Sequence, residues 1–198
     1  MGTRTKIIDL RSDTLTKPTE AMRRAMYEAE VADDTYDGDP TVNRLQELAA
    51  EITGMEASLL VASGTMGNLL GTLVNAAPGQ EVILGDQSHL FLWEVGGISR
   101  VALCVPHTVP FRRGFLDPAE VEAAVRPEFR EATSTALICV EDTSNIGGGA
   151  VIPPEHLAQL SAVAKRHNLR MHMDGARFFN AVVASGQPAP AFTQHLDT

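Results

Sequence analysis

Five short, mostly apolar runs decide much of what this chain can fold into. They span Ser58 to Ala62, Glu81 to Leu84, Val101 to Val105, Ala136 to Val140 and Leu169 to Met173. Each has strand length and is apolar on both faces, which suits a sheet covered on both sides. Helical segments separate them. "SGTMGNLLGTLVNA" follows the first run, "PAEVEAAVR" begins after Asp117, and Pro154 to His167 precedes the last. This alternation predicts an α/β fold with a mostly parallel sheet between helical layers. In such sheets the ligand sits beyond the carboxyl ends of the strands. The residues just after each run are therefore where function should be sought.

Two further helices are expected upstream. Pro18 to Glu30 places Ala21, Met22, Ala25, Met26 and Ala29 on one stripe. The next opens on Asp39 as N-cap with Pro40 at the first helical position and closes at Gly54. The acidic segment between them, "VADDTYDGDP", reads as a solvated loop whose Tyr36 could reach a site. The formal charge of -9 over 198 residues argues against nucleic acid, since phosphate binding wants a basic face. Cys104 and Cys139 sit in apolar runs and read as buried, reduced thiols. No signal-peptide-like start and no run of membrane-span length is visible, so a cytosolic protein is the expectation.

Four strand ends carry polar groups. Ser63-Gly64-Thr65 opens a helix, where free N–H groups and the dipole could bind phosphate; an ordinary helix cap is the plainer alternative. His89, in "GDQSHLFLWE", falls at the ligand edge, although a lone histidine is often structural. "EDTSNIGGG" contains three consecutive glycines, for a sharp turn or a close approach. After the last run stand Asp174 and Arg177. A carboxylate at the mouth of a buried strand needs a partner. That partner could be a salt bridge or the protonated nitrogen of a heterocycle, as in pyridoxal phosphate. No spacing typical of a zinc or calcium site supports a metal.

Taken together, these segments resemble the threonine aldolases, in the beta-eliminating lyase group of fold-type I pyridoxal-phosphate enzymes. The resemblance rests on "IDLRSDTLTKPTEAMRRAM", "DDTYDGDPTVNRLQE", "SGTMGNL", "GDQSHLF", "EVGGIS" and "HMDGARFFNA", in that order. It implies a three-layer sandwich, the large domain of a pyridoxal-phosphate-dependent transferase-like fold. It implies cleavage of threonine or allo-threonine to glycine and acetaldehyde. Residue by residue, Gly64 and Thr65 would bind the cofactor phosphate. His89 would stack on the ring as the catalytic histidine, and Asp174 would pair with the ring nitrogen. Ser12 and Arg177 would clamp the substrate carboxylate, and Tyr36 could contribute across a subunit boundary. A homodimer or homotetramer is implied for the complete protein, with neither membrane nor nucleic acid as partner.

Two departures qualify the resemblance. The segment often written "ENTHN" in the family reads "EDTSN" here, with Ser144 in place of the histidine. That puts the stereochemical preference, or the group that accepts the β-hydroxyl proton, in question. The Schiff-base lysine of the family is also expected beyond Thr198. The lysines present, Lys6, Lys17 and Lys165, do not match its position. Residues 1–198 thus read as an N-terminal segment plus most of the cofactor-binding domain, without the small C-terminal domain and inactive alone. Elimination on another amino acid, and a non-catalytic chain that binds cofactor or a full-length relative, are the competing readings.

Overall fold

The structure is a computed structural model that describes residues 8–36, 38–127 and 129–198. Lys6 lies outside the described residues. Two compact units divide at Leu45 and Gln46. In the first, Ser12 caps a 3-10 turn, Asp13–Leu15, and Thr19 caps α1, Glu20–Glu28, with its side chain accepting from Met22 N. The helix is shorter at both ends than the apolar stripe predicts. Asp39 accepts the N–H groups of Thr41 at 2.9 Å and Val42 at 3.0 Å, as expected of the N-cap of α2, Pro40–Thr53. Its carboxyl is held below the usual carboxylate range, chiefly by the backbone N–H of Ala32.

The second unit holds a four-stranded sheet. The strands are β1, Glu81–Gly85; β2, Val105–Val109; β3, Thr135–Glu141; and β4, Arg170–Asp174. All three pairings are parallel, in the order β2-β1-β3-β4. The carboxyl ends of all four strands therefore share one edge. The helices are α3, Gly64–Asn75; α4, His89–Leu92; α5, Gly97–Arg100; α6, Pro118–Ala124; α7, Pro154–Arg166; α8, Phe178–Ser185; and α9, Pro190–Thr193.

Strand alternation sorts the core into two clusters. Ile83, Ile138, Val140, Met171 and Met173 pack with Val121 of α6, Leu157 and Leu160 of α7, Phe178 of α8 and Phe192 of α9. Val82, Leu84, Leu137 and Cys139 point the other way and pack with Ile98 of α5, Ala102 and Cys104. α3 also packs on β4. This is the predicted α/β sandwich. Both cysteines are free and buried, and burial pushes their thiols up, as inert core residues require.

Two expected strands need correction. Ser58 to Ala62 pairs with no strand among the described residues. One of its backbone N–H groups goes to a side chain instead: Gln46 Oε1 accepts the N–H of Leu60 at 2.9 Å. Val101 to Cys104 wraps the end of α5, with Ala102 N bonding Gly97 O and Cys104 N bonding Ile98 O. The strand begins only at Val105 and runs through Pro106, His107 and Thr108. These less apolar residues are tolerated because β2 is an edge strand of this sheet.

Candidate active site

Three of the strand ends converge on one buried polar network. β4 ends in Asp174, which is 6% exposed. One of its oxygens accepts the N–H of Ala176 at 3.1 Å, and the other accepts from Asn68 Nδ2 at 3.0 Å. Asn68 lies one turn into α3, so the helix beginning at Gly64 delivers it to the mouth of β4. The same Nδ2 donates to Glu94 Oε1 at 2.7 Å. Glu94 is itself 2.8 Å from His89 Nδ1. One ligand-type atom from each of His89, Glu94 and Asp174 lies within 4.8 Å of the other two.

β3 supplies the support beneath this group. Glu141, its last residue, accepts the N–H of His89 at 2.8 Å and that of Asn145 at 3.0 Å. One carboxylate thus anchors the start of α4 and the loop after β3. The next residue, Asp142, is fully buried. Its Oδ1 accepts the N–H of Ile152 at 3.1 Å, while Oδ2 has no partner among the described residues. Desolvation raises its pKa to about 7. Ser144 Oγ accepts the N–H of Gly147, within the turn that its glycines make possible.

Gly64 and Thr65 are exposed at the first positions of α3, where helix geometry leaves their N–H groups without intrahelical acceptors. Ser63 Oγ takes the N–H of Met66, and a Cβ placed on Gly64 would meet nothing within 4 Å. The helix start is thus open to an anion, one turn from Asn68. Arg177 stands half-buried three residues beyond Asp174, at the start of α8.

The structure therefore brings Gly64, Thr65, His89, Asp174 and Arg177 to the carboxyl edge of one sheet. Ser12 and Tyr36 belong to the other unit. There the Ser12 hydroxyl lies 2.7 Å from that of Thr14, and Tyr36 is exposed. Lys165 is exposed on α7. Sequence reasoning missed Asn68, Glu94, Glu141 and His172. Glu141 and Glu94 had a signal: each is an acid at or near the end of a run already marked. Asn68 and His172 had little, because a polar residue inside a helix or strand declares no partner.

By ligand type His89, Glu94 and Asp174 could hold a metal ion. The amide nitrogen of Asn68, bonded to both carboxylates, stands against a bare cation shared between them, because an amide N–H does not ligate metal.

A parallel α/β domain with a helix start open to an anion and a carboxylate at the mouth of the strand that helix packs on defines a ligand-binding class of fold. Comparison with known proteins fixes the family within it. Residues 9–198 match the family model described as beta-eliminating lyase, and the chain belongs to that family. It is 45% identical over 195 residues to low-specificity L-threonine aldolase 1 of Arabidopsis thaliana, covering 96% of this chain and 54% of that protein. It is 40% identical over 193 residues to the low specificity L-threonine aldolase of Escherichia coli strain K12, covering 97% and 57%. Among solved structures, Leishmania major threonine aldolase superposes with a TM-score of 0.76 at 22% identity, over 89% of this chain and 52% of that one. The chain thus spans about half the length of the curated relatives it matches. No helix among the described residues is long and apolar enough to cross a membrane.

Proposed function

We propose that this chain is the cofactor-binding portion of a pyridoxal-phosphate-dependent lyase that cleaves threonine, or its allo isomer, to glycine and acetaldehyde. The observation that carries the reading is the pair of buried carboxylates, Asp174 and Glu94, linked through one amide and backed by His89. Two carboxylates so close and so buried call for positive charge beside them. A flat ring with a protonated nitrogen supplies it. The open start of α3, a turn away, offers N–H groups and the Thr65 hydroxyl for the ring's phosphate. On chemistry and placement the residues fit the cofactor.

When bound, pyridoxal phosphate serves as the electron sink for the bond that breaks at the substrate's α-carbon. The chain's own residues set the conditions for that. Asp174 would hold a proton on the ring nitrogen. His89, oriented by Glu94 and by the Glu141 bond to its N–H, would pack against the ring. Gly64 and Thr65 would hold the phosphate at the start of α3. Arg177 would be suited to a two-pronged contact that holds the substrate carboxylate and so orients the substrate. For the complete protein a homo-oligomer is proposed, to be checked by sedimentation.

The test is made at two levels. Pyridoxine 5′-phosphate, which keeps ring and phosphate but has no aldehyde to react with lysines, is titrated into the chain while the fluorescence of Trp93 is followed. Saturable quenching that Asp174→Ala removes supports the reading. In a protein that carries this chain and the remaining length of its relatives, acetaldehyde release from threonine is expected to drop by about a hundredfold or more in Asp174→Ala. Unchanged cleavage would refute the role given to Asp174. Ammonia release from another amino acid, without acetaldehyde, would move the assignment to an elimination.

A further inference from the structure

The network does not end at Asn68. Its amide oxygen lies 3.1 Å from His172 Nε2, and His172 Nδ1 lies 3.0 Å from Thr198 Oγ1. Asn75 Nδ2, from the last turn of α3, donates to the same threonine oxygen at 2.8 Å. With a neutral imidazole these contacts fit one set of donors. Asn75 donates to the Thr198 hydroxyl, which donates to Nδ1 of His172. The imidazole, carrying its hydrogen on Nε2, donates to the Asn68 oxygen. The Asn68 NH2 group is then left to donate one hydrogen to Glu94 and one to Asp174. Turning that amide over would set its oxygen against both carboxylates and break the bond to His172.

The backbone also makes room for this histidine. A Cβ on Gly71 of α3 would lie 2.4 Å from His172 Cε1 and 2.5 Å from Nδ1. The ring is thus packed directly against the helix that carries Asn68, one turn further along. Burial lowers the pKa of His172, with the Asp174 charge and a backbone hydrogen bond to Thr198 acting the other way; the net direction is towards the neutral ring that the donor set requires. His172 stands two residues before Asp174 on β4 and is 6% exposed.

We propose that Asn68 and His172 are a positioning pair for the ring-binding acid: Asn68 aims Asp174 and Glu94 by donating to each, and His172 fixes which end of the amide faces them. This rests on the cofactor reading given above. Neither residue is assigned contact with cofactor or substrate; both act through Asp174 and Glu94. The pair also ties the acid to α3, whose first residues would hold the phosphate, so the two ends of the cofactor would be held by one rigid element.

Two measurements on the chain test it. The first is a long-range nitrogen–proton NMR spectrum of the imidazoles, expected to show His172 at neutral pH as the neutral ring with hydrogen on Nε2. The second is the affinity for pyridoxine 5′-phosphate, read from Trp93, in four variants. Asn68→Asp keeps the shape but loses both donors, and His172→Phe keeps a flat ring but loses the donor. Both should bind about tenfold more weakly or worse. His172→Gln retains an N–H near the Nε2 position and should recover most of the affinity. Gly71→Ala, which displaces the imidazole, should behave like His172→Phe. The proposal is overturned if His172→Phe binds as wild type does, if His172→Gln is no better than His172→Phe, or if His172 carries its hydrogen on Nδ1. Failure of the wild-type chain to bind the probe would instead refute the cofactor reading itself, and the inference with it.

Discussion

Asp142 shows what one residue does when its surroundings refuse it a charge. One oxygen holds the N–H of Ile152, the other faces no partner among the described residues, and the side chain is fully buried. Its pKa rises to about 7. In the unfolded chain it titrates near 4, so folding binds a proton between those values. Below about pH 4 both states are protonated and Asp142 contributes no slope. From there to about pH 7 the unfolded state ionises first, and stability falls as pH rises. Above that the loss is complete, on the order of 4 kcal/mol. Asp142→Asn keeps the acceptor for Ile152 and removes the titration. It should be more stable than wild type at pH 8, with the difference shrinking towards pH 5, in urea denaturation at several pH values. A constant difference would mean that Asp142 is ionised throughout. His172 works in the opposite sense, since its lowered pKa costs stability as pH falls below about 6.5, but it is common to both proteins and cancels. Among the other residues of the candidate site, Asp174 and His89 are legible as candidates because each follows an apolar run, where a polar group needs a reason. Asn68 was not, since one side chain bonding both Glu94 and Asp174 is a fact of three dimensions.

At the scale of elements, legibility followed the source of the hydrogen bonds. β1 and β3 were found almost to the residue, because interior strands of a covered sheet must be apolar on both faces. Ser58 to Ala62 has the composition of a strand, yet the N–H of Leu60 is taken by the Gln46 side chain, which no local pattern announces. β2 was placed four residues early. Leu103 adopts a positive φ of 56° and closes the turn after α5, using up the apolar residues that suggested a strand. The join between β1 and the loop to His89 depends on a missing side chain. A Cβ on Gly85 would sit 2.5 Å from Phe111 Cδ2 and 2.9 Å from its Cβ, so the Phe111 ring lies directly over the end of β1. Phe111 is buried in the core, and its N–H is held by Asp86 Oδ1 at 3.0 Å, leaving it little freedom to withdraw. Gly85→Ala should therefore cost about 1–3 kcal/mol, the range of overpacked cores. It should appear as a lower urea midpoint with an unchanged m-value. An unaltered midpoint would show that the Phe111 loop shifts freely.

For the molecule as a whole, burial is distributed unevenly enough to predict how it opens. Among the described residues, none before Gln46 is buried, whereas the unit Gln46–Thr198 holds both core clusters. β1 and β3 are paired on both sides, and their residues are nearly all buried. β2 is an edge. β4 has a partial neighbour, since Thr198 O accepts the N–H of Met173 at 3.0 Å and Asp197 N donates to Met171 O at 2.8 Å. α1 is nine residues long with no buried side chain, shorter than a helix that persists alone in water. Opening free energies follow such differences in burial and pairing. Native-state hydrogen exchange should thus rank the amides of Val82 to Leu84 and Leu137 to Val140 slowest, near the global stability. The interior amides of β4 should come next, and those of α1 should exchange at rates close to an unstructured peptide. The ranking carries a functional consequence. Asp174, at the end of β4, would be held less by the sheet than Glu141 on β3, and more by the bond from Asn68. Asn68→Asp should then speed exchange at Met173 and Asp174 while leaving Leu137 to Val140 unchanged. If α1 proves as protected as β3, or if Asn68→Asp loosens β3 and β4 alike, the sheet rather than the amide fixes the acid.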